Sequence, residues 1–272
     1  MTQLNLTKHH GLGNDFLVLI DVDGLHPVDA DLARALCDRR HGVGADGLVR
    51  VSRGSRDATV TMELLNSDGS DAEVSGNGLR CVAQAVLEAG ITDASRFVVA
   101  TASGHRQVEV LGRRGPQAVV AVEMGAVTLG PPPADLHHDL PPKNVALAST
   151  GNPHLVLHVA DLADLDVDRL GGAYQAQFPA TGGINVEYIV TGERADHIDL
   201  VVYERGAGVT QACGSGACAA AAAARHWDLI GDSVTVSMPG GAVEVHLSES
   251  SATLVGPAVR VAAIDVDLEA VT

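Results

Sequence analysis

The chain has 272 residues, 46% of them hydrophobic and 19% charged, the composition of a globular protein with room for one or two domains. Its 34 acidic and 18 basic residues give a formal net charge of −16, and aromatic residues make up 3%, which speaks against a nucleic-acid surface, where phosphates need cations and bases need rings. Four cysteines without a Cys-x-x-Cys pair point to a reducing compartment, away from a disulfide scaffold or a structural zinc site.

The amino-terminal MTQLNLTKHH has neither the apolar core nor the cleavage site of a signal peptide. No run approaches the roughly 18 apolar residues of a membrane span, so a cytoplasmic protein without membrane association is expected. Apolar alternation predicts a strand over 16–20 (FLVLI). A helix over 30–40 (ADLARALCDRR) follows Asp29, a suitable N-cap. GVGADG (42–47) satisfies Gly-x-Gly-x-x-Gly, yet it follows a helix and precedes the strand GLVRVS. A dinucleotide fingerprint needs the opposite order, so nucleotide binding is not expected. The next strand covers 59–64 (TVTMEL). A helix over 78–90 sets Leu79, Val82, Ala83, Val86 and Leu87 on one face and ends at Gly90. Strands at 106–111 and 119–123 flank a Gly-rich turn at 112–116. A Pro-rich loop spans 130–142; its His137-His138 lacks a spaced carboxylate or Cys partner, so no metal is expected. Strands follow at 185–190 and 198–203, then an Ala-rich helix at 216–226, strands at 233–238 and 242–247, and a C-terminal strand within 258–272. The class is α+β, with strands outnumbering helices.

One pattern occurs twice. VSGNGLRCVA (74–83) and ACGSGACAAA (212–221) each carry Gly-x-Gly at the start of a helical run, and Ser75 in the first stands where Cys213 stands in the second. These two residues are 138 positions apart. At the same spacing Gly13-Asn14 falls on Gly151-Asn152, and Asn66 falls on Glu204 without a gap. The implied organisation is an internal duplication: two pseudo-symmetric domains of one fold, 1–115 (joined by the C-terminal strand 258–272) and 116–257.

A Gly-x-Gly that opens a helix presents backbone N–H groups at the positive end of the helix dipole, where a carboxylate or phosphate binds. A Cys at such an end is expected to have a stabilised thiolate. That makes Cys213 a candidate acid–base group, whereas Cys37, Cys81 and Cys218, inside helices, read as small core hydrophobes. Two related domains offer two such ends. A pair of acid–base groups on opposite faces of a carbon beside a carboxylate inverts that carbon, one removing a proton and the other returning one. Electrostatic stabilisation of the carbanion removes the need for a cofactor, and with only Lys8 and Lys143 present there are few candidates for a pyridoxal phosphate Schiff base.

The stretches KHHGLGNDF (8–16), CDRRHGVGADG (37–47), NSDGSDAEVSGNGLRC (66–81), GNPH (151–154), GINVEY (183–188) and ERGAGVTQACGSGAC (204–218) together resemble the diaminopimelate epimerase family over essentially the whole chain. The resemblance implies two domains, each with strands wrapped around a central helix. It also implies conversion of LL-diaminopimelate to the meso form with no cofactor, using two cysteines. Cys213 sits where the family has its second catalytic Cys. Asn14, Asn66, Asn152, Asn185, Glu204 and Arg205 sit at its substrate-binding positions. Gly76, Asn77, Gly214 and Ser215 match its backbone donors to the carboxylate at the reacting carbon, and His154 with Glu204 its polar support for that end. Arg205 is the natural partner of the distal carboxylate. The implied partner is the small-molecule substrate, and a homodimer is left open. Two positions depart from the family: Ser75 replaces its other Cys, and Val209 stands where Glu is usual. A Ser hydroxyl is a far weaker acid than a thiol, and Ser75 is also a good helix N-cap. These departures keep two other readings open, a racemase of another amino acid and a non-catalytic amino-acid-binding protein.

Overall fold

The computed structural model describes residues 3–72, 75–137, 141–163, 165–192 and 196–271. The chain divides into two compact units, one of residues 1–122 and 256–272, the other of residues 123–255.

In the first unit β1 (Gln3–Gly11), β2 (Asn14–Ile20), β3 (Gly47–Arg53), β4 (Val60–Asn66), β5 (Arg96–Thr101), β6 (Gly104–Arg114) and β7 (Gln117–Gly125) follow one another in the sheet. Helix α1 (Ala30–Cys37) packs on β3 and β4, and α2 (Gly76–Glu88) packs on β1, β2, β3 and β6. The second unit holds β8 (Thr128–Gly130), β9 (Asn144–Ser149), β10 (Pro153–His158), α3 (Val167–Gln175), β11 (Asn185–Thr191), β12 (His197–Glu204), β13 (Gly208–Thr210), α4 (Gly214–His226), β14 (Ser233–Met238) and β15 (Gly241–Leu247). The last strand, β16 (Ala252–Asp267), begins against β15 and ends in the first unit, paired with β1 from His10↔Val259 to Gln3↔Asp267.

The duplication is visible in the strand registers. Phe16↔Gly47 of the parallel β2–β3 pair and Leu48↔Leu65 of the antiparallel β3–β4 pair recur at the repeat spacing as His154↔Asn185 and Val186↔Tyr203. The correspondence slips by one position at the next pair, Val60↔Val99 against Ile198↔Val236.

All eight strands expected from alternation are present, and so are the three expected helices. The 112–116 turn is the tip of the β6–β7 hairpin, and the two units part further on, at Val122 and Glu123. Helix α1 stops at Cys37, short of residue 40, because Val43 and Gly44 fold back and donate to the Leu36 carbonyl. Helix α2 differs more. Every residue from Gly76 to Val86 is buried, not one face only. The same holds for Gly214 to Ala224 of α4, whose Ala side chains let strands approach from all sides. Helix α3 gives no clear signal in the sequence, because Gly171-Gly172 interrupts its pattern. Gly171 is required there: a Cβ would lie 2.2 Å from the Tyr203 ring. His138 of the Pro-rich loop lies outside the described residues.

Candidate active site

In the first unit, Ser75 is the N-cap of α2. It is extended (φ −138°, ψ 110°), its Oγ accepts from Gly78 N at 2.9 Å, and its carbonyl accepts from Leu79 N. Gly76 and Asn77 open the helix and are buried. The two-residue turn Leu12-Gly13 has positive φ at both positions, 57° and 88°, the geometry that matches the twist of a tight hairpin. It delivers Asn14 to the start of β2. The Asn14 amide is oriented from both ends. Its Nδ2 donates to Asp46 Oδ2 at 2.8 Å, a pure acceptor, and its Oδ1 accepts from Asn77 Nδ2 at 3.0 Å. Asn77 Oδ1 in turn accepts from Arg80, a pure donor, at 2.7 Å. Asp15 lies behind, bound by Lys8 at 2.9 Å and Arg39 at 2.7 Å. Burial alone would raise its pKa, but the hydrogen bonds and charges of Arg39 and Lys8 outweigh it and hold the carboxyl below its ordinary range. Asn66 ends β4 in an exposed turn, with Nδ2 on Ser70 Oγ. Ser75 also borders a cavity of about 650 Å³ with Met62, Asp71, Leu79 and Thr101; of the candidate residues it alone is among the described lining.

In the second unit, Cys213 caps α4 with nearly the same backbone (φ −125°, ψ 112°). Its Sγ accepts from Gly216 N at 3.4 Å, and its carbonyl accepts from Ala217 N. The Ser215 hydroxyl lies 3.5 Å from Sγ and accepts from Asn152 Nδ2 at 3.3 Å. This repeats the first unit's geometry: Asn14 meets Asn77, and Asn152 meets Ser215, each pair displaced by the same repeat spacing. Asn152 Oδ1 lies 3.0 Å from His154 Nε2, and His154 Nδ1 lies 2.7 Å from Glu187 Oε1; His154 and Glu187 are fully buried. Asn185 spends its amide on backbone, donating to the Pro153 carbonyl and accepting from Arg205 N. The Arg205 guanidinium donates to the Thr181 carbonyl at 3.1 Å. Thr210 donates to Glu204 Oε1. Burial pushes the Glu204 carboxyl up, assisted by the Glu187 charge, while Thr210 and the Cys213 thiol hold part of that back.

The expectation of a stabilised Cys213 thiolate is reversed. Burial comes first, then the carboxylates of Glu204 and Glu187, and together they push the thiol well above its ordinary value; Ser215 and the Gly216 N–H offset only part. A helix end favours an anion only when its surroundings do not oppose one. Cys37 and Cys81, also buried, are pushed up to about 12. Val209 lies on β13 opposite Tyr203, 47% exposed.

Sequence reasoning passes over Asp46, Arg80 and Glu187. Asp46 is hidden inside the Gly-x-Gly-x-x-Gly decoy. Glu187 carries a usable signal, a carboxylate between apolar neighbours in a strand whose first five residues are all buried. Among the described residues no cluster of His, Cys, Asp and Glu is arranged to hold a metal ion. Among them, too, no helix is long and apolar enough to cross a membrane.

The family model for diaminopimelate epimerase matches residues 6–130 and 146–261. The chain belongs to the diaminopimelate epimerase family. The diaminopimelate epimerase of Thermobifida fusca is 39% identical over 98% of this chain and 99% of its own. That of Synechococcus elongatus is 35% identical, again covering 98% of this chain and 99% of its own. Among solved structures, a phenazine biosynthesis protein of the PhzF family from Bacillus anthracis superposes with a TM-score of 0.75 at 16% identity, covering 98% of this chain and 100% of that one. A probable proline racemase from Agrobacterium radiobacter gives 0.75 at 18% identity, covering 97% and 93%. At such identities these two report the fold alone. The diaminopimelate epimerase fold thus accounts for both halves of the chain, each with its helix enclosed by strands.

Proposed function

We propose that the chain is a cofactor-independent amino acid epimerase acting on diaminopimelate, in which Cys213 and position 75 are the two acid–base groups. One observation carries this reading: the two residues cap pseudo-equivalent helices with nearly the same backbone geometry and the same pair of hydrogen bonds, to Gly78 and Leu79 in one unit and to Gly216 and Ala217 in the other. Inversion needs one proton-transfer group for each face of the α-carbon, and each unit supplies one. The N–H groups at each helix start favour the carboxylate beside that carbon. The candidate polar groups for the substrate are Asn14, Asn66 and Asn77 in the first unit and Asn152, His154, Asn185, Glu204 and Ser215 in the second, with Arg205 the candidate for the distal carboxylate. The 39% identity to a relative named as a diaminopimelate epimerase, over almost its full length, supports the substrate. It also supports a place in the cytoplasm, where precursors of lysine and the cell wall are made.

Ser75 weakens one arm of this chemistry. Its Oγ already accepts the Gly78 N–H, so as a helix cap it is complete, and its hydroxyl is a poor base at neutral pH. That observation favours a second reading, a protein that binds an amino acid with little turnover. Proton NMR in deuterated water, on LL- and meso-diaminopimelate in turn, decides between them. The epimerase reading expects α-proton exchange of at least one isomer, faster than its inversion. Thermal stabilisation by the ligand with no exchange of either isomer supports the binding protein instead.

A further inference from the structure

The two helix ends share a backbone but carry opposite buried charges. In the first turns of α2 the charged group is Arg80, fully buried, donating to Asn77. The equivalent position in α4 is Cys218, an apolar core residue. In the second unit the buried charge is Glu187 of β11, and the equivalent position in β3 is the core residue Val49. Glu187 lies against the first turn of α4. A Cβ built on Gly216 would be 2.7 Å from Glu187 Oε1 and 3.3 Å from Cys213 Sγ, so carboxylate and sulfur face each other across that glycine. Only a glycine leaves room for this approach. At Gly78, the equivalent position, the nearest atom is the Met62 methyl. One Glu187 oxygen bonds His154, and the other is buried without a hydrogen-bond partner among the described residues.

We propose that Glu187 is a positioning residue that adds to burial and Glu204 in keeping Cys213 as the thiol between turnovers, so that the second unit begins a cycle as proton donor. The groups facing Cys213 are Glu187 from β11, Glu204 from β12, and the Ser215 hydroxyl and Gly216 N–H of its own helix; His154 of β10 bonds Glu187. The two carboxylates oppose the helix dipole and disfavour a thiolate. In the first unit the buried guanidinium adds to the dipole and favours an anion at its helix end. The charges set the two helix ends apart: the first favours an anion at position 75, which Ser75 does not supply at neutral pH, and the second favours the neutral thiol, so α-proton removal in this chain falls to the small thiolate fraction of Cys213. A unit charge about 6 Å away, in surroundings of effective dielectric about 20, moves a pKa by about two pH units. The hydrogen bond from His154 absorbs part of this, leaving an effect of about one pH unit.

The consequence for catalysis rests on the epimerase reading, but the test does not. The Cys213 thiolate is titrated by its ultraviolet absorbance in the ligand-free protein, with Cys213→Ala as the blank. The difference against Cys213→Ala removes the absorbance of the other three cysteines, Cys37, Cys81 and Cys218. Glu187→Gln keeps the shape and removes the charge. The midpoint of Cys213 should fall by about one pH unit, a roughly tenfold larger thiolate fraction at neutral pH. His154→Gln leaves the carboxylate without its partner and should raise the midpoint. A purely structural role moves both variants the same way, toward an ordinary exposed thiol. A midpoint that stays put or rises in Glu187→Gln overturns the proposal. If that variant does not fold, a midpoint that fails to rise in His154→Gln overturns it. Absence of α-proton exchange in the unsubstituted chain would instead count against the epimerase reading and leave the titration result standing.

Discussion

Ser75→Cys should exchange a little stability for a large gain in rate. The Ser75 Oγ accepts the Gly78 N–H at 2.9 Å, a well-formed N-cap. The second unit shows what sulfur does in the same place: Cys213 Sγ accepts from Gly216 N at 3.4 Å, on a backbone of φ −125° and ψ 112° against −138° and 110° at Ser75. Sulfur therefore fits without moving the chain, but caps more weakly. Removing a Ser cap outright costs about 0.5–2 kcal/mol, so its partial loss should cost about 0.5–1 kcal/mol. In a protein of this size that lowers Tm by about 1–4 °C. Against this, restoring a positioned thiol at an acid–base site should raise epimerisation by about 10²–10⁴-fold. Substrate affinity should change little, because the backbone N–H groups of the helix start are untouched. Differential scanning fluorimetry reads the first quantity, and a proton-NMR time course from each isomer reads the second. Symmetric, rapid epimerisation by the unsubstituted chain, with no gain in the variant, would refute the two-thiol account and require a different second base.

Iodoacetamide at neutral pH should label all four cysteines slowly in the native, ligand-free protein, since all are buried and Cys37, Cys81 and Cys213 are pushed toward the thiol; rapid labelling of Cys213, mapped by mass, would contradict this. Arg205→Ala should weaken binding of diaminopimelate by about 1.5–3 kcal/mol and leave alanine binding nearly unchanged, as calorimetry would show. Gly216→Ala should destabilise the fold by about 1–3 kcal/mol, because its Cβ would press within 2.7 Å of Glu187, whereas Gly112→Ala, which meets nothing within 4 Å, should be neutral in urea melts. The depressed Asp15 carboxyl contributes stability that is present above its unfolded value and lost as pH falls through its folded value, so Asp15→Asn should flatten the acid limb of the stability–pH curve.

What the chain discloses by itself depends on the kind of interaction. Half-buried antiparallel strands show through, because their side chains alternate between core and solvent: GAVEVHL of β15 buries every second residue at its C-terminal end. The strand PHLVLH of β10 does not, since five of its six residues are buried and no period survives. The caps at Asp29, Ser75 and Cys213 are legible because capping is local. The wrapping of α2 and α4 is not, because a helix reveals only its own composition, not how many strands surround it. The candidate residues Asn14, Asn77, Asn152 and Ser215 are legible through the repeat spacing. The structure adds the Asn14–Asn77 and Asn152–Ser215 bonds that make the spacing physical.

The acidity of Cys213 escapes the sequence for a related reason. A helix dipole belongs to the segment and can be read from it, whereas Glu187 and Glu204 reach the sulfur from two other strands. Repetition of a fold copies backbone geometry, and here it copies the cap, the register and the amide contact. It does not copy the charges packed behind them. A reaction that takes a proton with one group and gives one with another needs the two ends to differ. Arg80 within one helix and Glu187 beside the other supply that difference through positions whose repeat equivalents, Cys218 and Val49, carry no charge. Replacing Arg80 by Met in the Ser75→Cys background should therefore raise the pKa of the new thiol, the reverse of what Glu187→Gln does to Cys213. Peptide-resolved alkylation rates across pH would read both shifts, and two shifts of the same sign would remove the argument.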